Sequence, residues 1–347
     1  MIDFGLDDEI RILLDAVERF AREHLEPRAR DAEAARRPDR DTTAVYESLG
    51  LMGLEAPGFE PGLSMVARCL VNATLGRGDP GAALALDRLG AAAYAFWAAD
   101  DAEAVDAIIA DPGRRAWLAA PEDGMINVSE REANGELHFA PAGITDLVLL
   151  SPAGIAHIRE GFEAVPVRGA GLRAADPVRL QLSGAPVAHF RRVATTPVLA
   201  RARLYVASLL LGVMEAAAAY ARDYAVERIT FGRPIAHHQG MTFLLTDMNT
   251  AVTGTRLLIE EAAWRLDAGE DATEACATAF AEAAEQAAVI GPDAVQVLGG
   301  LGFMQDYPVE KHMREARALG LLHGGIDHAR EDAMHVPSSA LMAGGEF

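Results

Sequence analysis

Residues 199–229, LARARLYVASLLLGVMEAAAAYARDYAVERI, carry the longest helical pattern in the chain. Apolar residues recur here with the period of an α-helix, and alanine, the strongest helix former, is abundant. Two more long helices are predicted at about 239–268 and 272–299, and a shorter one begins at Pro308. Long helices joined by short connections pack antiparallel, so residues 199–347 are predicted to form a four-helix bundle.

The residues before this bundle divide into two segments with different patterns. Residues 1–113 show helical periodicity interrupted by prolines and glycines, and one helix is predicted across 80–98. Residues 114–198 contain short β-prone runs, such as 147–150, between glycines and prolines. The expected fold is therefore mainly α, with an N-terminal helical domain, a small middle β-barrel-like domain and a C-terminal helical bundle.

The net charge limits the classes of partner. The chain has 51 acidic and 31 basic residues, a formal charge of −20, which disfavours nucleic acid and anionic membranes as general partners. It has no uninterrupted apolar run of membrane-spanning length, and its acidic start lacks the pattern of an export signal. We expect a cytoplasmic protein without a membrane span.

The cysteines and histidines suggest no metal site. Cys69 and Cys276 are far apart in the sequence and have no histidine cluster nearby, so we expect two buried thiols in a reducing compartment. His237, His238 and His312 are interpreted as solvated loop or helix-face residues.

Two motifs indicate the chemistry, namely ERITFGRPIAHHQG at 227–240 and QVLGGLGFMQDYPVEKHMRE at 296–315. In the first motif, the guanidinium of Arg228 and the hydroxyl of Thr230 are donors suited to the charged oxygens of a dinucleotide pyrophosphate. In the second, paired glycines let the backbone approach a cofactor closely. The alternative is that these polar residues make ordinary helix-end contacts.

At these motifs the chain resembles the acyl-CoA dehydrogenase family, most closely between about Arg201 and Arg317. The second motif matches the spacing of the family's C-terminal signature at Gln296, Gly299, Gly300, Gly302, Phe303, Asp306, Lys311 and Glu315. The resemblance implies FAD as cofactor, with contacts that reach across a subunit interface to the ADP half of a neighbour's FAD. The cofactor-binding residues implied in this way are Arg228, Thr230, Phe231, Gln239, Gln296, Gly299 and Gly300.

The resemblance also implies a reaction whose usual base is missing here. Family members remove the α-proton of an acyl-CoA with a carboxylate while a hydride leaves Cβ for flavin N5. In many relatives the base is the Glu of a Tyr-Glu-Gly run, which in this chain reads Leu322-His323-Gly324. In others it is a Glu on the long helix before the first motif, where this chain has Ala202. The sequence therefore assigns no catalytic residue. His323 could act as a replacement base, because imidazole titrates near neutral pH.

Contacts that relatives make to their own FAD are replaced as well. The Thr-Glu-Pro-x-x-Gly-Ser-Asp run that holds the isoalloxazine ring corresponds to Ala-Pro-Glu-Asp-Gly at 120–124. The Thr-Ser-Glu-Ile-Gln run that continues the C-terminal loop corresponds to Gly-Ile-Asp-His-Ala at 325–329. The contacts to a neighbour's FAD therefore persist, while those to the chain's own FAD and substrate do not.

This asymmetry predicts a hetero-oligomer, expected to be α2β2, with a catalytic acyl-CoA dehydrogenase subunit as partner. The chain is similar in this respect to the degenerate subunit of bacterial heteromeric acyl-CoA dehydrogenases, such as those of steroid side-chain degradation. An acyl-CoA substrate and an electron-transfer flavoprotein as acceptor are further implications of the family. The alternatives are a self-sufficient dehydrogenase that uses His323 and a scaffold on the same fold without a cofactor.

Overall fold

The structure, a computed structural model, describes residues 8–53 and 63–334. The N-terminal region is helical, and its helices begin where side chains cap them. Asp39 accepts a hydrogen bond from Thr42 N at the start of the third helix, and Ser64 accepts one from Ala67 N at the start of the fourth. The helices are α1 Asp8–Phe20, α2 Ala29–Ala35, α3 Arg40–Ser48, α4 Met65–Gly78, α5 Pro80–Leu86, α6 Ala92–Ala98 and α7 Ala102–Ala110.

The prediction of one helix across 80–98 is wrong, because α5 ends at Leu86 and α6 starts at Ala92. The carboxylate of Asp87 accepts hydrogen bonds from the backbone N–H groups two and three residues further on. Gly90 then takes a left-handed conformation, with a φ of 51°. A short polar side chain that bonds to nearby backbone competes with the helix, and here it ends the helix.

The middle region is a curled sheet of seven strands, in the order β1-β4-β5-β7-β3-β2 with β6 paired to β7. All pairings are antiparallel except β1 with β4. The long strand β7 pairs with β3 and β6 along its first part and with β5 near its end, which links the two halves of the sheet. The strands are β1 Ala116–Ala119, β2 Gly124–Val128, β3 Glu132–Pro141, β4 Asp146–Ser151, β5 Gly154–Ile158, β6 Phe162–Pro166 and β7 Pro177–Arg191.

The C-terminal region is a bundle built around one central helix, α8. This helix has the length and apolar composition of a membrane span, but 72% of its most apolar window is buried inside the fold, so its composition suits its central position. A hairpin of β8 (Ile229–Thr230) and β9 (Arg233–Pro234) follows it. The bundle helices are α8 Thr196–Glu227, α9 Gln239–Asp267, α10 Thr273–Leu298, α11 Val309–Leu319 and α12 Gly325–Ala333.

The N-terminal region and the bundle meet where α4 crosses α8 at two glycines. A Cβ added to Gly212 would lie 2.0 Å from Ala73 O, and one added to Gly76 would lie 2.4 Å from Leu209 O. Both distances are far below any real Cβ contact, so the two backbones touch without side chains between them. The predicted fold class, helical with a middle sheet, is confirmed.

All three regions meet again around a buried cation on α11. Lys311 Nζ lies 2.9 Å from Asp79 Oδ1, at the start of α5, and 3.0 Å from Glu315 Oε1, one turn further along α11. The other oxygen of Glu315 accepts a hydrogen bond from Leu172 N in the sheet domain, at 3.1 Å. These charges are paired and hydrogen-bonded, as buried charges must be.

Both cysteines are buried and free, as predicted. Burial raises the pKa of the Cys69 and Cys276 thiols to about 12, so neither is a ready nucleophile. Within 8–53 and 63–334, no group of three or more metal-ligating side chains comes together.

Candidate functional site

The predicted cofactor-binding residues lie at one end of the bundle. Helices α8 and α10 run in the same direction and α9 returns between them, so α8 and α10 end where α9 begins. The segment after α10 also approaches the last turns of α8, because Tyr220 and Tyr307 line the same cavity. The two motifs therefore lie toward the same end of the bundle. We call their seven predicted residues the clasp; it comprises Arg228, Thr230, Phe231, Gln239, Gln296, Gly299 and Gly300.

The clasp begins with the tight hairpin after α8. Thr230 pairs with Arg233, and the two residues between them, Phe231 and Gly232, have φ values of 54° and 78°. Positive φ at both central positions is the pattern of a type I′ turn, which matches the twist of a two-stranded ribbon. A bulky aromatic residue rarely adopts this conformation, which costs of order 1–3 kcal/mol. Phe231 nevertheless does so with 91% of its surface exposed, so the hairpin presents an aromatic ring to solvent.

His238 holds this hairpin in place. Its Nδ1 lies 3.1 Å from Arg233 Nη2, and its Nε2 lies 3.2 Å from the carbonyl oxygen of Thr230. Because the guanidinium can only donate, Nδ1 accepts and Nε2–H donates, which assigns the neutral Nε2–H tautomer. The ring also meets Phe231 edge to face, with centroids 6.2 Å apart. The sequence interpretation of His238 as a solvated residue missed this contact.

Arg228 has its backbone fixed and its side chain free. Its N–H donates to Tyr224 O and its carbonyl accepts from Ile235 N, both at 2.8 Å, which anchors the end of α8. Its guanidinium is exposed and makes no hydrogen bond or ion pair with another described residue. The exposed side chains of Gln239 and Gln296 likewise have no hydrogen-bond partner within 8–53 and 63–334. Ordinary helix-end contacts therefore do not explain these three residues.

The glycine turn after α10 is open to the outside. Gly299 caps the helix with a φ of 61°, a conformation that L side chains avoid. A Cβ added at Gly299 or Gly300 would meet no atom within 4 Å, so the glycines leave backbone accessible rather than making room for a packed neighbour. Open backbone and a free guanidinium are each suited to a bulky anion such as a pyrophosphate.

Three other residues of the second motif, Gly302, Lys311 and Glu315, are structural. A Cβ on Gly302 would lie 2.5 Å from Val295 O, so this glycine allows close packing inside the bundle. Lys311 and Glu315 form the buried ion cluster described above. His312, interpreted from the sequence as solvated, is instead partly buried, and burial together with Lys311 lowers its pKa to about 3. Within the signature, Gln296, Gly300, Phe303 and Asp306 are thus exposed, whereas Gly302, Lys311 and Glu315 are buried.

Asp123 bonds to both of the loops, around Ala120 and Gly324, that the sequence resemblance aligns with flavin-ring contacts; we call these two loops the flavin seat. Asp123 Oδ2 accepts a hydrogen bond from Ala120 N at 2.8 Å, and Asp123 Oδ1 accepts one from Gly324 N at 3.1 Å. His323 Nδ1 lies 3.5 Å from Asp123 Oδ2. Burial raises the pKa of Asp123, but His323 and the two N–H groups outweigh burial, and the pKa lies below its ordinary value of 3.8. An anionic carboxylate therefore already engages the backbone donors of Ala120 and Gly324.

His323 has no room for a substrate beside it. The side chain is buried, with 2% of the residue exposed, and its carbonyl accepts a hydrogen bond from Arg203 Nε at 3.2 Å. The cavity that it lines with Trp117, Leu118 and Tyr205 has a volume of about 10 Å³. That volume holds about one water molecule, not an acyl thioester. Ala202, at the alternative base position, is fully buried.

Comparison with known proteins identifies the family. The model of the acyl-CoA dehydrogenase N-terminal domain matches residues 7–101, and that of the acyl-CoA dehydrogenase C-terminal domain matches residues 191–334. Together these two models cover more than half of the chain. The chain belongs to the acyl-CoA dehydrogenase family.

Curated relatives match over a limited length. An acyl-CoA dehydrogenase of Bacillus subtilis (strain 168) is 40% identical over 122 residues, which are 35% of this chain and 32% of that protein. The alignment thus spans about a third of the curated relative.

Solved structures match the whole fold. Glutaryl-CoA dehydrogenase from Mycobacterium smegmatis in complex with FADH2 superposes with a TM-score of 0.82 at 18% identity, covering 99% of this chain and 96% of that chain. The steroid ACAD Tcur3481-Tcur3483 superposes with a TM-score of 0.80 at 19% identity, covering 96% of this chain and 99% of that chain. At these identities the likeness establishes the fold, and function has to be argued from the site.

Proposed function

We propose that this chain is an acyl-CoA dehydrogenase subunit that binds the nucleotide end of FAD held by a catalytic partner. The observation that carries the proposal is the contrast between two sites in one chain. The clasp has a free, exposed Arg228 and open glycine backbone, whereas at the flavin seat Asp123 is bonded to the N–H groups of Ala120 and Gly324. The clasp can accept a cofactor from outside, and these two N–H groups of the flavin seat are already engaged.

Each clasp residue has a physical role in this proposal. The guanidinium of Arg228 pairs with the pyrophosphate, and the backbone at Gly299 and Gly300 approaches the nucleotide without a Cβ in the way. Phe231, at the tip of the hairpin, covers an apolar face of the nucleotide, and His238 keeps the hairpin rigid. When bound, FAD supplies the hydride acceptor for α,β-dehydrogenation of an acyl-CoA.

The same contrast supports a hetero-oligomer, with α2β2 as the simplest arrangement. A homo-oligomer would need both the clasp and a complete flavin seat in each chain. The partner would supply the base, the substrate pocket and the flavin-ring contacts, and would pass electrons to an electron-transfer flavoprotein. The assembly would act in the cytoplasm on a fatty acyl, steroid side-chain or other acyl-CoA.

Two other functions agree less well with the site. A self-sufficient enzyme with His323 as base would need space for a thioester, but the cavity there has about 10 Å³. A scaffold without a cofactor would leave unexplained why three polar side chains at the end of the bundle, on Arg228, Gln239 and Gln296, have no partner among the described residues.

The test is the FAD content of the chain alone and of the chain co-purified with a full-length dehydrogenase partner. We expect little FAD in the chain alone and one FAD per pair of unlike subunits in the complex, measured by absorbance after denaturation. One FAD per copy of this chain in a homo-oligomer would refute the proposal. A colourless complex would favour the scaffold.

A further inference from the structure

A cleft of about 810 Å³ lies between the sheet domain and the bundle. One wall comes from the sheet domain, with Trp117 on β1 and Phe139 on β3, and the other from α10, α11 and the loop before α12. Its volume lies within the range of roughly 300–1,000 Å³ that is typical of small-molecule sites. None of the clasp residues lines this cleft, so a ligand for the cleft has to be argued separately.

The walls favour a ring-shaped, apolar ligand. Trp117 and Phe139 meet edge to face on one side, with ring centroids 5.5 Å apart. Leu321 and Leu322 line the other side, and Leu321 is 63% exposed although it is a large apolar residue. A half-exposed aromatic pair opposite leucines gains most from a flat apolar molecule, because aromatic rings stack or pack edge to face.

The charges around the cleft favour an uncharged ligand. Glu122 and Asp123 line one side and Arg314 and Arg317 line the other, so the formal charges of these four residues sum to zero. Arg314 is also engaged with Glu310, at 2.7 Å. Neither an anion nor a cation gains a net attraction from this set.

The hydrogen-bonding groups argue against flavin itself. An isoalloxazine ring presents the acceptors N1, O2, O4 and N5 and a single donor, N3–H, so its site must supply donors. The N–H groups of Ala120 and Gly324 are already bonded to Asp123. Flavin carbonyl groups would meet a carboxylate instead of donors, and buried acceptors without donors are costly, at about 1–3 kcal/mol each.

We propose that this cleft binds an uncharged, largely apolar aromatic or polycyclic compound with few hydrogen-bond acceptors, in preference to flavin. The ligand lies between the Trp117–Phe139 pair and the leucines before α12. The site belongs to this chain alone, and the proposal does not depend on the clasp or on a partner.

The test uses Nile red, an uncharged planar dye, as the probe and riboflavin as the competitor. We expect one-site binding of Nile red to the full-length chain, or to its complex if the chain requires a partner for solubility, with blue-shifted emission. Phe139→Arg should weaken binding at least tenfold because it places a charge in the cleft. The matched control is Phe243→Arg on α9, where the replaced ring is 58% exposed and does not line this cleft, and it should leave binding unchanged.

The second part of the test substitutes Asp123 and uses riboflavin as the competitor. Riboflavin in excess should not displace Nile red from the unaltered chain, whereas Asp123→Ala should free two backbone donors and allow displacement. If circular dichroism shows that Phe139→Arg disturbs the fold, Leu321→Arg replaces it. If Asp123→Ala does so, Asp123→Asn replaces it. Each replacement should change Nile red binding or riboflavin displacement in the same direction, by a smaller amount. Displacement by riboflavin from the unaltered chain, or Nile red binding that neither cleft variant weakens, would overturn the proposal.

Discussion

His323 Nδ1 lies 3.5 Å from Asp123 Oδ2, across the junction between the bundle and the sheet domain. The neighbouring backbone N–H of Gly324 donates to the other oxygen of the same carboxylate. The residue at the usual base position therefore contacts a carboxylate that is itself fixed by backbone, not an open pocket. This arrangement is the basis for expecting a structural role for His323.

We therefore predict that His323→Ala leaves turnover of the assembled complex within a few-fold. Loss of a true general base costs on the order of 10²–10⁴ in rate. The measurement is kcat of the complex with FAD content held equal, and the matched control is His328→Ala, an exposed histidine one turn into α12. A loss of kcat beyond about a hundredfold in His323→Ala alone would restore the replacement-base hypothesis.

Arg228→Ala should weaken FAD binding by the complex about ten- to a hundredfold. A charge-assisted hydrogen bond contributes roughly 1.5–3 kcal/mol, and each 1.4 kcal/mol is a factor of ten. Arg228→Lys should recover part of the affinity, because an ammonium restores the charge but not the planar pair of donors. The readout is the FAD dissociation constant by fluorescence at fixed salt. The control is Arg222→Ala on α8, because the guanidinium of Arg222 pairs with Asp223, and this variant should bind FAD normally. Unchanged FAD affinity in Arg228→Ala would contradict the nucleotide-binding role proposed for the clasp.

Lys311→Met should destabilise the chain by about 3–5 kcal/mol, because it leaves the carboxylates of Asp79 and Glu315 buried without their cation. Arg265→Met is the control, since the Arg265–Glu261 pair is exposed and i,i+4 pairs of this kind contribute about 0.3–0.5 kcal/mol. The free energy of unfolding from urea titration distinguishes the two. Equal losses of unfolding free energy in both variants would show that the cluster of Lys311, Asp79 and Glu315 does not hold the three regions together.

The ion pairs between α2 and α11, made by Arg30, Glu33, Glu310 and Arg314, should lose strength in acid. Burial raises the pKa values of Glu33 and Glu310, but ion pairs with Arg314 and Arg30 outweigh burial, so both lie below their ordinary value of 4.5. A carboxyl group with a lowered folded-state pKa stabilises the fold above its unfolded pKa and loses that contribution as pH falls through the folded pKa. The free energy of unfolding should therefore fall below about pH 4.5.

The two carboxyl groups can be tested directly. The double variant Glu33→Gln, Glu310→Gln should flatten the fall in the free energy of unfolding between pH 4.5 and pH 3. Glu261→Gln, which removes an exposed ion pair, should leave the slope almost as it was. An unaltered slope in the double variant would assign the acid sensitivity to other groups.

The sequence predicted the elements whose pattern is continuous along the chain. The period of α8, α9 and α10 is uninterrupted, so their bounds are within a few residues of the prediction. The break between α5 and α6 was missed because it depends on one side chain, Asp87, bonding to its own backbone. The strand β3 contains two register shifts against β7, which obscure the alternation that marks a strand.

In the candidate site, too, some residues are indicated by sequence motifs, whereas other contacts are visible only in the structure. The clasp residues stay a prediction that rests on two motifs, and the structure adds that the Arg228, Gln239 and Gln296 side chains are free among the described residues. The bonds from Asp123 to Gly324 and from His238 to the hairpin could not be predicted. Each joins groups through tertiary contact or turn geometry, for which no local residue pattern exists.

The glycine crossing of α4 and α8 has a consequence for protein engineering. Gly76 and Gly212 bring the two backbones into contact, so α8 has on this side a groove shaped for one particular helix. A bundle excised from the chain without α4 would expose that groove to water along a largely apolar helix, and other chains would have access to it. The bundle alone therefore cannot carry the clasp into another protein; the smallest portable unit includes α4.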